Sequence, residues 1–391
     1  MSPPLFHPLR VRAIEPDTPE AVIVSFDVPL ELRETFGFTQ GQYLTLRKTI
    51  DEVDLRRSYS ICAGVDDGEL RVGVRKVKGG VFSNWINESL QPGDSISVMA
   101  PQGRFFVPLD AAARRHHVGI AGGSGITPIL SIMKTVLARE PHSRFTLLYG
   151  NRSLKSTMFK EELEDLKNRY MTRLVLQHVF SDEQADTDGP HVASLLPPEG
   201  AESGLGAARR LDSPLNIGPM NRDKINDFLH NVLPAAGIAQ AYICGPFQMN
   251  DEAEAALLAA GVPEDRVHIE RFGVAAPAAG AAEAVGAVIH QARPGDAEVA
   301  RVVIIRDGLR REIEFRREQP SILDAASAAG LEVPFSCTSG VCGTCRAKVV
   351  EGDVRMERNF ALDKAEVAAG FVLTCQAHPI TPHVVLSFDE R

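Results

Sequence analysis

Cys337-Thr-Ser-Gly-Val-Cys342-Gly-Thr-Cys345, with Cys375 some 30 residues further on, is the stretch from which the rest of the chain is read. Its C-x4-C-x2-C…C spacing is that of plant-type [2Fe–2S] sites. Three thiolates on one tight loop and a fourth from a distant strand can surround two irons. Gly340 and Gly343 let that loop curl and turn backbone N–H groups toward sulfur. Soft thiolates also suit zinc, but structural zinc sites usually pair two short knuckles, and here one loop carries three cysteines. Cys337, Cys342, Cys345 and Cys375 are therefore the expected metal ligands. A unit built around them carries one electron and binds no substrate.

Outward from this loop, Arg301-Val-Val-Ile-Ile-Arg and Arg311-Glu-Ile-Glu-Phe-Arg predict a hairpin around Asp307-Gly308. Ser321 then caps a helix over Ile322 to Ala329, ended by Gly330. Together these give an α+β unit over 300–391. Residues 273–299 are rich in Ala, Gly and Pro and read as a linker. Over 111–272, strands such as His117-Val-Gly-Ile-Ala and Phe145-Thr-Leu-Leu-Tyr alternate with helices, which predicts a doubly wound parallel sheet. The polar stretch 181–219 is too long for an ordinary loop and reads as an insertion or a cover. Over 1–110, short apolar runs recur between turns such as Asp67-Gly68 and Pro92-Gly-Asp94. They predict a closed antiparallel β-barrel, interrupted by one helix from Phe82 to Leu90.

Length and composition agree with a multidomain chain. At roughly 150 residues per domain, 391 residues predict two or three domains. With 42 basic and 51 acidic residues, the net charge of −9 gives no general attraction to nucleic acid or anionic lipid. No strongly apolar run is long enough to predict a spanning helix. Met1-Ser-Pro-Pro-Leu-Phe-His-Pro lacks the basic and apolar regions of a secretory signal, so the expected compartment is the cytoplasm. Six cysteines are too few for a disulfide scaffold.

Three further motifs point to nucleotides. Gly122-Gly123-Ser124-Gly125-Ile126-Thr127-Pro128 follows a predicted strand and opens a helix, where backbone N–H groups and the helix dipole can hold a pyrophosphate. It does not match G-x-G-x-x-G, and by itself it could be an ordinary tight turn. The next strand ends at Gly150-Asn-Arg152-Ser153-Leu-Lys155, and no Asp or Glu occurs until Glu161. Arg152 and Ser153 suit a 2′-phosphate, so NADPH is favoured over NADH. Cys244-Gly245-Pro246 ends another strand at the sheet edge where ligands bind, although a buried core Cys is the plainer reading of Cys244. In the barrel, Arg57-Ser58-Tyr59-Ser60 offers a forked donor and an aromatic face. Gly79-Gly80-Val81-Phe82-Ser83 opens the helix. Two phosphate-seeking features in one barrel suggest a flavin nucleotide.

The combination of Arg57-x-Tyr59-Ser60, Gly80-x-x-Ser83, the 122–128 loop, Cys244-Gly245-Pro246 and the four cysteines resembles a known arrangement. Residues 1–272 resemble the ferredoxin–NADP reductase superfamily, and 300–391 a plant-type ferredoxin of β-grasp fold. The order resembles reductase components of bacterial multicomponent oxygenases. The family nearest in its motifs is the reductase subunits of phenylacetyl-CoA epoxidases, through Arg57-Ser-Tyr-Ser-Ile-Cys, Gly80-Val-Phe-Ser-Asn-Trp-Ile and Met99-Ala-Pro-Gln-Gly-Arg-Phe. Reductases of 3-ketosteroid 9α-hydroxylases share the layout.

The resemblance implies roles. Arg57, Tyr59 and Ser60 would bind the flavin, with Ser60 near the isoalloxazine. Gly80, Val81, Phe82 and Ser83 would hold the FAD pyrophosphate. Gly122, Gly123, Gly125 and Thr127 would hold that of NADPH, Cys244 would sit near the nicotinamide, and Gly245 and Pro246 would bind the cofactor. Glu270 and Phe272 would flank the flavin ring, though Phe272 could equally close the domain core. Ser60, Cys244 and Glu270 are the implied catalytic residues. The implied partner is a terminal oxygenase, either a di-iron epoxidase or a Rieske-type enzyme. Its docking patch is expected at Thr338 and Arg346, on the rim of the cysteine loop. With 12 basic and 13 acidic residues in 301–391, long-range steering to that partner would be modest. The competing class is a non-catalytic iron–sulfur carrier or sensor, for which intact flavin and glycine-loop motifs have no use.

Overall fold

The computed structural model describes residues 5–182, 216–272 and 292–390. The expected cover at 181–219 and linker at 273–299 fall largely on residues outside these ranges.

Strands β1 (Phe6–Thr18), β2 (Ala21–Asp27), β3 (Tyr43–Ile50), β4 (Val53–Ser60), β5 (Leu70–Arg75) and β6 (Ser95–Gln102) form an antiparallel sheet ordered β4-β3-β6-β1-β2-β5. A bridge between Ile61 and Val72 joins its two edges, giving the expected barrel. Alternate side chains such as Leu9, Val11, Leu44, Leu46, Val72 and Val98 fill the interior. Helix α1 (Val81–Glu88) plugs one end with Phe82 and Ile86.

The second unit is a parallel sheet of β7 (His116–Gly122), β8 (Arg144–Asn151), β9 (Leu174–Phe180), β10 (Gln240–Gly245) and β11 (Val267–Arg271), ordered β11-β10-β7-β8-β9. Helices α2 (Ile126–Arg139) and α3 (Lys160–Arg169) contribute to the core on one face. Helices α4 (Arg222–Asn231) and α5 (Phe247–Ala259) contribute on the other. The strand order reverses between β7 and β10, so a crevice opens beyond their carboxyl ends, at Gly122 and Gly245. Barrel residues Ala21, Ile23, Cys62 and Phe105 share an apolar core with this sheet, which fixes the barrel beside the crevice.

The third unit orders β13 (Leu309–Arg316), β12 (Val299–Arg306), β18 (His383–Ser387), β14 (Arg346–Glu351) and β16 (Phe371–Leu373), with β12 and β18 parallel. Helix α6 (Ile322–Ala328) packs its Ile322, Leu323, Ala325 and Ala326 into the core of this sheet. The Asp307-Gly308 turn sits in the predicted hairpin, with both residues at positive φ. A small ladder pairs β15 (Val354–Met356) with β17 (Ala377–Pro379), and helix α7 (Lys364–Ala368) precedes β16. Asp296 binds Arg355 through two bonds of 2.6 Å, which ties residues 293–298 to this unit. Among the described residues, no helix is long and apolar enough to cross a membrane.

Candidate functional site

The crevice at the reversal point holds a cavity of about 620 Å³, lined by Gly122, Gly123, Gly125, Gly150, Arg152, Gly245 and Pro246 among others. Its floor is bare backbone for steric reasons. A Cβ on Gly125 would stand 2.0 Å from the Cys244 carbonyl oxygen. One on Gly122 would stand 2.6 Å from Pro246 Cδ, and Gly123 has φ +52°. Helix α2 begins here and points its N-terminus at the space, so the site fits a pyrophosphate. Arg75, from the end of β5, also lines the cavity. Arg152 donates to Glu20 at 3.0 Å, and Arg75 lies 3.6 Å from the same carboxylate.

Three residues expected in this cavity lie outside its lining. Thr127 is buried and donates to the Ser124 carbonyl at 3.0 Å, so it shapes the loop from behind. Ser153 caps the short turn Leu154–Ser156, whose Ser156 faces the cavity instead. Cys244 is fully buried in the core, and burial drives its thiol well above its ordinary range. A neutral thiol there packs as a small apolar side chain.

A second cavity, of about 440 Å³, opens between the barrel and the cysteine loop. That volume lies within the usual range for small-molecule sites, roughly 300–1,000 Å³. Arg56, Arg57, Ser58 and Ser60 of β4 line one wall, and Phe335 to Ser339, Val341 and Cys342 the other. Glu270, Arg271 and Phe272 enter from the end of β11. A guanidinium, hydroxyls and an aromatic ring around one slot suit a planar heterocycle with polar edges, so the residues fit a flavin ring. Burial pushes the Glu270 carboxyl up to about 8, and Arg104 opposes the shift. The group therefore holds its proton at neutral pH. Arg271 and Phe272 line both cavities and separate them. The Arg271 guanidinium is fixed over the Phe247 ring at 4.6 Å and by Asp251 at 2.7 Å.

Tyr59 and Gly80 to Ser83 lie outside this cavity's lining. Tyr59 stacks on Phe82 with centroids 6.2 Å apart, and Ser83 Oγ accepts the Val77 N–H at 3.1 Å.

The four cysteines come together as expected. Cys342 N–H donates to Cys337 Sγ at 3.4 Å, and Cys337 N–H donates to Cys342 Sγ at 3.5 Å. The Cys375 thiol reaches those of Cys337 and Cys345. Gly340 and Gly343 both have positive φ, and a Cβ on Gly340 would press on Gln376 and on the Arg358 carbonyl. A two-iron cluster held by four cysteines asks for thiolates spread over two irons, which this set suits.

Arg346 is not on an open rim. It pairs with Glu366 at 3.0 Å and lies over the Phe371 ring, while Glu366 also pairs with Arg104 of the barrel. The expectation of a free Arg346 overlooked that the barrel covers this side; Thr338 remains exposed. Sequence reasoning also missed Tyr43, Arg56, Arg75 and Phe335. Ser58, which lines the same cavity as Arg56 and Phe335, did lie inside a motif read from the sequence, Arg57-Ser58-Tyr59-Ser60.

This fold and site define a modular oxidoreductase with a flavin barrel, a nicotinamide-nucleotide sheet and an iron–sulfur unit. Family models agree: an oxidoreductase FAD-binding domain matches 9–107, an oxidoreductase NAD-binding domain 120–193, and a 2Fe-2S iron-sulfur cluster binding domain 304–379. A subunit of the 1,2-phenylacetyl-CoA epoxidase of Escherichia coli (strain K12) is 38% identical, over 99% of this chain and 98% of its own length. The 3-ketosteroid-9-alpha-monooxygenase ferredoxin reductase component of Rhodococcus rhodochrous is 30% identical over 97% and 96%. Phthalate dioxygenase reductase shares the fold at 22% identity, with a TM-score of 0.54 over 98% of both chains. The chain belongs to the family of reductase components of multicomponent oxygenases.

Proposed function

We propose that this chain carries electrons from NADPH, through FAD and a [2Fe–2S] cluster, to the oxygenase component of a phenylacetyl-CoA epoxidase. The observation that carries the electron path is the single cavity walled by Ser60 and Glu270 on one side and by Cys337 and Cys342 on the other. The likeness to the Escherichia coli protein, over 99% of this chain, supports the first of the two expected partners, a di-iron epoxidase, over a Rieske-type enzyme. The Rhodococcus relative supports a steroid monooxygenase as the second reading.

The chain's own residues divide the work. Backbone N–H groups of Gly122 to Gly125 hold the nicotinamide nucleotide's pyrophosphate. Arg152 and Arg75 take its 2′-phosphate, leaving Glu20. Arg57 and Ser60 orient the flavin ring, and Tyr59 with Gly80 to Ser83 holds the remainder of FAD. Glu270 holds a proton at its carboxyl, and Phe272 shields the ring from water. A bound flavin accepts two electrons together and releases them singly, which a one-electron cluster requires.

An anaerobic titration followed in the visible tests this reading. NADPH should bleach flavin and cluster bands at lower concentration than NADH. Flavin bands that NADPH cannot bleach would overturn the reductase. An equal response to NADH would overturn only the assignment of Arg152 and Arg75.

A further inference from the structure

The strand pair that carries the flavin motif also grips the cysteine loop. Tyr43 and Ser60 are register partners across β3 and β4, as are Thr45 and Ser58. From this ladder, the Tyr43 hydroxyl donates to the carbonyl oxygen of Cys342. The Thr344 hydroxyl bonds the same Tyr43 oxygen at 2.8 Å. Ser58 Oγ meets Ser336 Oγ at 2.8 Å, one residue before Cys337. Both contacts therefore land beside cluster ligands, on either side of the loop. Tyr43 is buried, and its ring lies where a Cβ on Gly103 would come within 3.0 Å. Gly103 has φ +107°, so the Pro101-Gln-Gly103 turn both adopts a glycine conformation and leaves room for this ring. Arg56 adds a cation over Phe335, 4.0 Å from its centroid.

We propose that Tyr43 is a positioning residue for flavin-to-cluster electron transfer: its hydroxyl clasps the loop between Cys342 and Thr344 and seats the cluster against the flavin cavity. The step it serves moves one electron from the reduced flavin to one ferric iron, which becomes ferrous; NADPH is the source. Tyr43 moves no proton and no electron of its own. The inference rests on the reductase reading, whose failure would show separately, as no cluster bleaching by NADPH in the wild-type protein.

The test is Tyr43→Phe in the full-length protein carrying FAD and cluster. Rapid mixing with NADPH, without oxygen, follows the flavin and cluster bands separately. Amide exchange over 336–344 reports whether the loop stays seated, and a potentiometric titration gives the cluster potential. The ratio of cluster to flavin bleaching rates should fall about fivefold, the population shift that one net hydrogen bond produces. Exchange over 336–344 should quicken while the potential stays at the wild-type value. An unchanged ratio would overturn the proposal. So would a slowed ratio explained by a shifted potential with unchanged exchange, because Tyr43 would then tune the cluster and not seat it. Should the Tyr43 variant assemble no cluster, Ser58→Ala reads the same ratio and exchange at the other contact, with the same outcomes deciding.

Discussion

Gly122, Gly123, Gly125 and Gly245 line one cavity with bare backbone, whereas Arg56, Arg57, Ser58, Ser60 and Phe335 line its neighbour with side chains drawn from two units. The two spaces share Arg271 and Phe272 as a wall, yet they are built in different ways. A pyrophosphate is a generic anion, and backbone N–H groups at a helix start recognise it without side chains. The floor of the first cavity comes from two strand ends of one sheet, Gly122–Gly125 at the end of β7 and Gly245-Pro246 at the end of β10. The second cavity must hold a particular ring and bring a cluster to it, so it is assembled from elements distant in sequence. The backbone cavity should therefore be intolerant of added atoms. The side-chain cavity should tolerate them and respond to lost hydroxyls and charges.

The largest expected effect tests the first half of that contrast. In Gly125→Ala, the new Cβ would stand 2.0 Å from the Cys244 carbonyl oxygen and 2.8 Å from the Gly245 nitrogen. Both are backbone atoms of β10, and neither can swing aside. The variant should lose about 3 kcal/mol of stability, the upper end of the usual cost of overpacking, to the forced separation of loop and strand. Flavin bleaching by NADPH should fall more than about tenfold, the rate loss that goes with about 1.4 kcal/mol of misplacement. Denaturant unfolding and the NADPH titration measure the two. Gly237→Ala, where the nearest side chain is at 3.5 Å, is the matched control and should change neither. Wild-type behaviour of Gly125→Ala would mean that the crevice floor is plastic and the contrast false.

A smaller effect comes from the side-chain cavity. The Glu270 carboxyl has its pKa raised from 4.5 to about 8 by burial. Between those values the folded protein keeps a proton that the unfolded chain has released. Stability therefore falls as pH rises through that window and levels off above it. Glu270→Gln removes the ionisation, so its stability should change less between pH 5 and pH 8 than that of the wild type, where pH 5 is about where an exposed carboxyl has ionised. Arg104 should counteract part of the slope, since it favours the ionised form. Thermal unfolding across that range decides. A wild-type slope in the glutamine variant would show that Glu270 is ionised and solvated, and the cavity wetter than its lining implies.

The same contrast explains which parts of the molecule the sequence revealed. The glycine loop, the β10 turn at Gly245-Pro246 and the cysteine spacing are local patterns, each forced by a strand end or by thiolate chemistry. The barrel and the doubly wound sheet followed from alternating runs and turn residues, and the β12–β13 hairpin formed at Asp307-Gly308. The clasp was not legible, because Tyr43 and Thr344 are 301 positions apart and Ser58 and Ser336 are 278 apart. Nothing in Gln42-Tyr-Leu-Thr-Leu distinguishes a tyrosine that reaches another domain from one that fills a barrel. Arg346 was misjudged for the same reason. Its exposure depends on Glu366 and Arg104, and a barrel residue cannot be placed beside it from spacing alone. Thr127, Ser153 and Cys244 lay in the right segments, but their side chains turn into turns and core. Motif position fixes the backbone of a site better than the direction of each side chain.

The smallest expected effect separates buried seating from rim electrostatics. Lys364 of the third unit pairs with Glu264 of the second at 2.7 Å, with both side chains largely exposed, 88% and 69%. This contact spans two units, as the Tyr43 clasp does, but in water. Exposed ion pairs are screened by solvent and salt and carry the entropy of two long side chains. Lys364→Ala should therefore leave unchanged both the ratio of cluster to flavin bleaching and the amide exchange over 336–344. Raising the salt to about 1 M, where charges are screened beyond roughly 3 Å, should also leave them unchanged in the wild type. Tyr43→Phe should respond under both conditions, since a buried hydroxyl on a carbonyl is indifferent to salt. A loss in Lys364→Ala as large as that in Tyr43→Phe would place the seating of the iron–sulfur unit at its rim. The side-chain cavity would then be a consequence of domain contact rather than its cause.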